Sequence, residues 1–503
     1  MRKKIFSPFY ISLSLLLAAS AGCSKGSLEI NSTNPNLPSS VSPQYVLSAT
    51  LTGSAYNHYA YGYGLEPFQF YMGYWAYSGD YGVSSADLTY ANSTGDFNNN
   101  WNPQYTNMVN YKLIETESAS DSLNNYYEAI AKIMLAYHFG ILVDLYNDVP
   151  YLDALQGGTI NYPDYTPAAT VYTSCIHQLD SAVALINSAP GTAANPQKYD
   201  VMFGGNMSEW IQFANTVKLK MLLHLTAYSA GASLITSELN GLTPASFLGV
   251  GQDAAVNPGY SNAEGSQQSP IWQNVGFNTA GSPNEGNELD RACTFAVTFY
   301  QGTNDPRDSL FYLPNQVAGV VKGRAFGSTN SGVEHNNTIS AVGDGILKSP
   351  SEPAYLIPAS ESLFLQAEAA ELGYISGDPA TLFNEGVSES FRILGVPSYA
   401  TAATTYTSQN DARVNYSVST DKMTTIITQK WAAMNMFDPI EAWDDWRKLG
   451  IPAGLPVSIY PGTIAPHVPY RILYPVSEYN YNSENVAKEG TISNITSKIF
   501  WMP

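Results

Sequence analysis

The feature that most constrains this chain is a series of long segments whose apolar residues recur every three or four positions. From Tyr126 to Leu145 the sequence Tyr126, Ile130, Ile133, Met134, Tyr137, Ile141 and Leu145 falls on one stripe, predicting a helix of about five turns. A second stripe, Tyr172, Cys175, Ile176, Leu179, Val183 and Ile186, follows Thr166-Pro167, which supplies a capping hydroxyl and a proline suited to a first helical position. A third runs through Trp210, Phe213, Ala214, Val217, Met221, Leu225 and Tyr228.

Past residue 350 the pattern returns. Ser360 is placed to cap a helix carrying Leu363, Ala367 and Ala370, and Asp378-Pro379 starts a partner with Phe383, Val387 and Phe391 that Gly395 can close. Met423 to Met434 carries Ile426, Ile427, Trp431 and Met434 on one face. Helices paired at this spacing predict a mainly α fold of stacked, tetratricopeptide-like hairpins, without a strict 34-residue period. Between about residues 240 and 350, Gly, Asn, Ser and Pro dominate, which predicts loops, short helices and a small hairpin. Ligand sites favour such segments.

The first residues read as an export signal. Arg2, Lys3 and Lys4 precede an apolar stretch from Ile5 to Ala19, too short to span a bilayer, and Ser20-Ala21-Gly22 lead into Cys23. Two readings stand: a lipoprotein signal, residues 1–22, with Cys23 lipidated, or an ordinary secretory signal. Residues 23–43, rich in Ser, Asn and Pro, read as a tether, and 44–503 as a single domain.

The formal charge of −19 falls to −22 once the three cations of residues 1–22 leave, since no acid leaves with them. Such a surface repels phosphate backbones, so nucleic acid is excluded as a partner. With 36 Tyr, 19 Phe and 8 Trp among few charged residues, the composition suits stacking on neutral polymers such as sugars. Cys175 and Cys293 are too few for a disulfide framework; one bridge between them stays open.

Chemistry-bearing motifs are scarce. Asp144 and Asp148, and Glu441, Asp444 and Asp445 beside Arg447, invite a glycoside-hydrolase reading, but neighbours on one helix do not straddle a scissile bond. Capping, turn hydrogen bonds and ion pairing account for them better. The six histidines show no paired zinc spacing, and His224 reads as a core residue. No cofactor or metal is expected. The candidate ligand contacts are aromatics in poorly periodic segments: Tyr74, Trp75, Tyr77, Trp101, Trp272 and Phe277.

Several local motifs occur together. They are Leu28-Glu29-Ile30-Asn31 with Asn34-Pro35-Asn36; Asp144 to Tyr151, where Asn147 replaces a glycine; Asp200 to Gly205 followed by Trp210; Asn304-Asp305-Pro306-Arg307; Gln429-Lys430-Trp431; Glu441 to Arg447; and Pro469 to Pro475 with Glu478. The set resembles the SusD/RagB outer-membrane nutrient-binding lipoproteins, in their compact one-domain form. That resemblance implies a non-enzymatic, lipid-anchored lid on a TonB-dependent, SusC-like transporter, to which it delivers oligosaccharides or peptides. A surface polysaccharide hydrolase and a protein-binding helical scaffold are the alternatives.

Overall fold

A computed structural model describes residues 42–60, 64–329 and 332–503. The signal, Cys23 and most of the tether, with the Leu28–Asn36 motif, lie outside the described residues.

The mainly α architecture expected from the stripes is the one observed. Helix α1 spans Pro43–Tyr59, and four helix pairs follow among the described residues. These are α2 (Asn98–Ser118) with α3 (Asn125–Tyr146), α4 (Ala168–Ser188) with α5 (Met207–His224), α6 (Ala359–Glu371) with α7 (Pro379–Leu394), and α8 (Lys422–Met434) with α9 (Pro439–Leu449). Packing of α3 on α4, α5 on α6 and α6 on α8 joins the pairs into one stack. Strand is confined to short pairs: β1 (Trp75–Tyr77), β2 (Val149–Pro150), β3 (Tyr165–Thr166), β4 (Ala254–Val256), β5 (Asp290–Ala292) and β6 (Ala354–Ile357). Helix α3 is long and apolar enough to cross a membrane, yet it is buried at the centre of the stack.

Local chemistry explains several helix ends. Asn206, Asp378, Asp421 and Asp438 each accept a hydrogen bond from a backbone N–H in the first turn of the helix they precede. Gly395 and Gly450 close α7 and α9 with left-handed backbone angles.

Two predicted caps are corrected. Thr166 does not cap α4; pairing with Val149 draws it into β3, where its hydroxyl accepts from the Leu152 N–H. The first N–H of α4, on Ala168, is taken at 2.7 Å by the carboxylate of Asp148. Ser360 likewise lies inside the first turn of α6, and the Ala359 N–H bonds to Asp253 at 2.9 Å. In both helices a remote carboxylate fills the place of a local hydroxyl.

The loop-rich region also departs from expectation. It holds short helices, among them Pro270–Val275, Glu285–Leu289 and Thr294–Gly302, but its strands do not form a hairpin with each other. Strand β5 pairs antiparallel with β1, and β4 with β6, so both are fastened to distant parts of the chain. Cys175 and Cys293 are both buried free thiols.

Candidate functional site

The carboxylates that invite a catalytic reading lie inside the helix stack. Glu441, Asp444 and Asp445 are at most 1 % exposed, and Asp144 is buried. Lys220 meets Asp438 at 2.7 Å, Glu361 at 3.0 Å and Glu441 at 3.2 Å. Lys430 meets Glu441 and Asp445 at 2.8 Å, and Lys448 meets Glu368 at 2.7 Å. Arg447 pairs with Asp444, and its guanidinium lies 3.5 Å from the centre of the Trp443 ring. The capping and ion-pairing reading therefore describes what these acids do.

His224 sits among Asp144, Glu441 and Asp444. Burial works against its charge, but Asp144 and Glu441 outweigh burial and raise its pKa to about 10. Burial also raises Glu361 and Asp444, each to about 8, against the pull of Lys220 and Arg447 respectively. Asp144, His224 and Asp444 have ligand atoms close enough together to hold a metal ion. Tyr172 and Trp501 already donate to Oδ1 of Asp144, and Asp444 pairs with Arg447, so these groups serve a buried ion network.

Other motif residues are equally structural. Asp200 accepts from the N–H groups of Met202, Phe203 and Gly205 and from the Trp210 indole at 2.8 to 3.1 Å. Arg307, fully buried, is held by Asp305, Ser390 and Gln429. Asn147 takes a positive φ of 72°, so it does stand in for a glycine.

Three proposed ligand contacts are corrected by burial. Tyr74, Trp75 and Trp101 are 0, 1 and 3 % exposed, with no ring face open. Tyr74 donates to the Trp431 carbonyl and stacks on its indole, Trp75 donates to Asn435, and Trp101 packs edge-on to Tyr146. Tyr74 and Trp75 lie in the core because the start of β1 packs under α8 and its C-terminal end, and Trp101 because the first turn of α2 packs on the end of α3. Tyr77, Trp272 and Phe277 are only partly buried, and all three border cavities.

Trp272 and Phe277 border the same cleft, of about 750 Å³. Trp272 rides on the short helix Pro270–Val275, and its indole N–H donates to the Phe277 carbonyl at 2.8 Å. The two ring centres are 5.9 Å apart. Gly276 allows this, since a Cβ there would sit 2.6 Å from the Trp272 carbonyl oxygen and 3.0 Å from its ring. Phe277 bridges Pro283 across a small turn that Asn278 stabilises by accepting from Ala280 and Ser282.

The rest of the lining is mixed, with Leu313, Ile339, Val342 and Leu347 beside polar residues. Asn287, Arg291, Asn315, Gln316 and Asn336 line it. Asp80 accepts from the Asn336 N–H at 2.7 Å and pairs with His335 at 2.6 Å, which lowers its pKa. Arg291 donates to the carbonyls of Asn287 and Asp290, while its buried Nε has no partner among the described residues. A cleft that combines an aromatic pair with several amides suits a neutral, oxygen-rich ligand. The polar residues were missed in the sequence because they come from a short helix, strand β5 and separate loops without a shared motif.

Fold and cleft together define a scaffold of helix pairs that presents a loop-built binding surface. The chain belongs to the SusD-like family described as starch-binding and associating with the outer membrane, whose profile matches residues 35–475. Its fold is shared with a chitin-binding SusD homologue from Flavobacterium johnsoniae, at 22 % identity over 91 % of this chain and 98 % of that one, TM-score 0.74. A SusD homologue from Bacteroides fragilis NCTC 9343 superposes at TM-score 0.70, with 21 % identity over 92 % and 99 % of the two chains. A SusD/RagB family protein from Bacteroides thetaiotaomicron VPI-5482 does so at 0.71, with 20 % identity over 92 % and 99 %. No curated protein sequence matches the chain.

Proposed function

We propose that this protein binds a neutral oligosaccharide in the Trp272–Phe277 cleft and passes it, unaltered, to a SusC-like TonB-dependent barrel. The observation that carries the reading is an aromatic pair in one cleft with the amides of Asn287, Asn315, Gln316 and Asn336 and with Arg291. Rings cover the apolar face of a pyranose while amides and guanidinium meet its hydroxyls and carbonyls. The family description supports a glycan, and the chitin-binding relative makes N-acetylated sugars the first ligands to try.

In this reading residues 44–503 act as one ligand-binding domain, Cys23 carries the lipid anchor, and residues 24–43 give the domain its reach. Calorimetric titration of the purified domain with N-acetylglucosamine and maltose oligomers tests the first step. Absence of heat with every oligomer and with a broad glycan array defeats it. Co-purification with a barrel protein tests the second. For the anchor, radiolabelled palmitate should enter the wild type and not Cys23→Ala; label retained by the variant rules the anchor out.

A further inference from the structure

Away from the cleft, a groove of about 520 Å³ opens where α2, α3 and α4 meet the loop that follows β2. It shares no lining residue with the Trp272 cleft. Leu135, Phe139 and Ala154 give it a buried apolar floor. Tyr151 stands half-buried beside that floor, its ring centre 4.7 Å from that of Phe139 and nearly perpendicular to it. The backbone is pinned on either side of this ring: the Pro150 carbonyl accepts from the Tyr105 hydroxyl at 2.8 Å, and the Leu152 N–H donates to Thr166 at 3.3 Å. Further along the loop, Leu155 lines the groove with a φ of 61°, a left-handed conformation unfavourable for a residue with a side chain. Such strain gathers where a loop is held to meet a ligand.

Charge narrows the ligand class. Glu115 is the one carboxylate lining the groove among the described residues, and Lys112 and Lys132 hold it at 2.8 and 2.6 Å. Lys132 also reaches Glu128 at 3.4 Å, so two acids and two lysines cancel. The polar rim, by contrast, is free. Gln156 and His177 are exposed, and their side chains have no partner among the described residues. Gln178 uses its carbonyl oxygen, accepting from the Tyr151 hydroxyl at 3.4 Å, which leaves its amide N–H groups open. Amides and an imidazole both donate and accept, as sugar hydroxyls do. A ring above an apolar floor matches the C–H face of a pyranose, and the volume lies in the range of small-ligand sites.

We propose that this groove is a second carbohydrate site, binding a short stretch of neutral glycan against Tyr151 with hydrogen bonds to Gln156, His177 and Gln178. The choice of a sugar rests on the carbohydrate reading of the cleft; the location rests on the groove alone.

Trp272→Ala disables the cleft, so what that variant still binds reads the groove. Calorimetric titration of Trp272→Ala with N-acetylglucosamine and maltose oligomers, extended to a broad glycan array, is the test. One oligosaccharide site should remain. Adding Tyr151→Ala should weaken it by roughly tenfold, and adding His177→Ala, an exposed change that disturbs no packing, by about threefold. A Trp272→Ala protein silent towards every glycan that the wild type binds overturns the groove and leaves the cleft standing. Residual binding unchanged by either added substitution, in variants whose melts show them folded, overturns it too. Wild-type affinity in Trp272→Ala that Tyr151→Ala then removes supports the groove and defeats the cleft.

Discussion

The indole N–H of Trp272 donates to the carbonyl of Phe277 at 2.8 Å, so the two rings that border the cleft are set by one hydrogen bond rather than by loop contacts alone. A ligand that stacks there meets a surface already in place.

Trp272→Ala should therefore weaken oligosaccharide binding by at least tenfold, since an aromatic contact is worth about 1 kcal/mol beyond its buried area. Trp272→Phe should fall between the two, having a ring but no N–H for Phe277. Calorimetry and a thermal melt measure this; equal affinity of Trp272→Ala and wild type would remove the aromatic pair from the site.

Lys220 is the next target. Its ammonium serves Glu361, Asp438 and Glu441, which come from α6 and from the start of α9. Lys220→Met strands buried acids, and the expected loss of stability is about 3 to 5 kcal/mol. Urea denaturation reads it, and a loss under 1 kcal/mol contradicts the role assigned to this network.

Acid should destabilise the protein through His138. Its Nε2 lies 2.7 Å from the Ser54 hydroxyl, and burial, helped by repulsion from His58, lowers its pKa from 6.5 to about 3. As pH falls below 6.5 the unfolded chain takes up a proton that the folded one refuses, so stability drops between about 6.5 and 3. From pH 7 to 5 this one residue accounts for about 2 kcal/mol. His138→Gln should flatten that slope in denaturation curves taken at the two pH values, and an unchanged slope counts against the assignment.

Asp148→Ala should cost about 1 kcal/mol by freeing the first N–H of α4, and Asp148→Asn should recover most of it. A melt of the two variants decides, with equal loss in both pointing to the charge rather than the cap.

The helix stripes were legible because each long helix turns a continuous apolar face to its neighbours. What escaped is the polar half of the core. Lys220 on α5, Lys430 on α8 and Lys448 on α9 look in sequence like a solvated face, yet these helices also bury that side against one another, around the His224 and acids already read as structural. Trp101 was misread for a related reason. Its Asn-rich start and Pro103 mimic a loop, while the helix they open buries Trp101, Met108, Tyr111 and Ile114 together. In the cleft, Trp272 and Phe277 could be singled out as rings in a poorly periodic stretch. Arg291 could not, because it joins their cleft through the packing of helix Glu285–Leu289 on helix Pro270–Val275, which no local pattern announces.

The carboxylates that begin α4 and α6 have an evolutionary consequence. Asp253 closes the start of α6 and also binds Arg392 on α7 at 2.6 Å, across more than a hundred residues of chain. The pairs that begin with α4 and α6 are therefore not interchangeable bricks: transplanting either without Asp148 or Asp253 would leave its first turn without the acid that completes it.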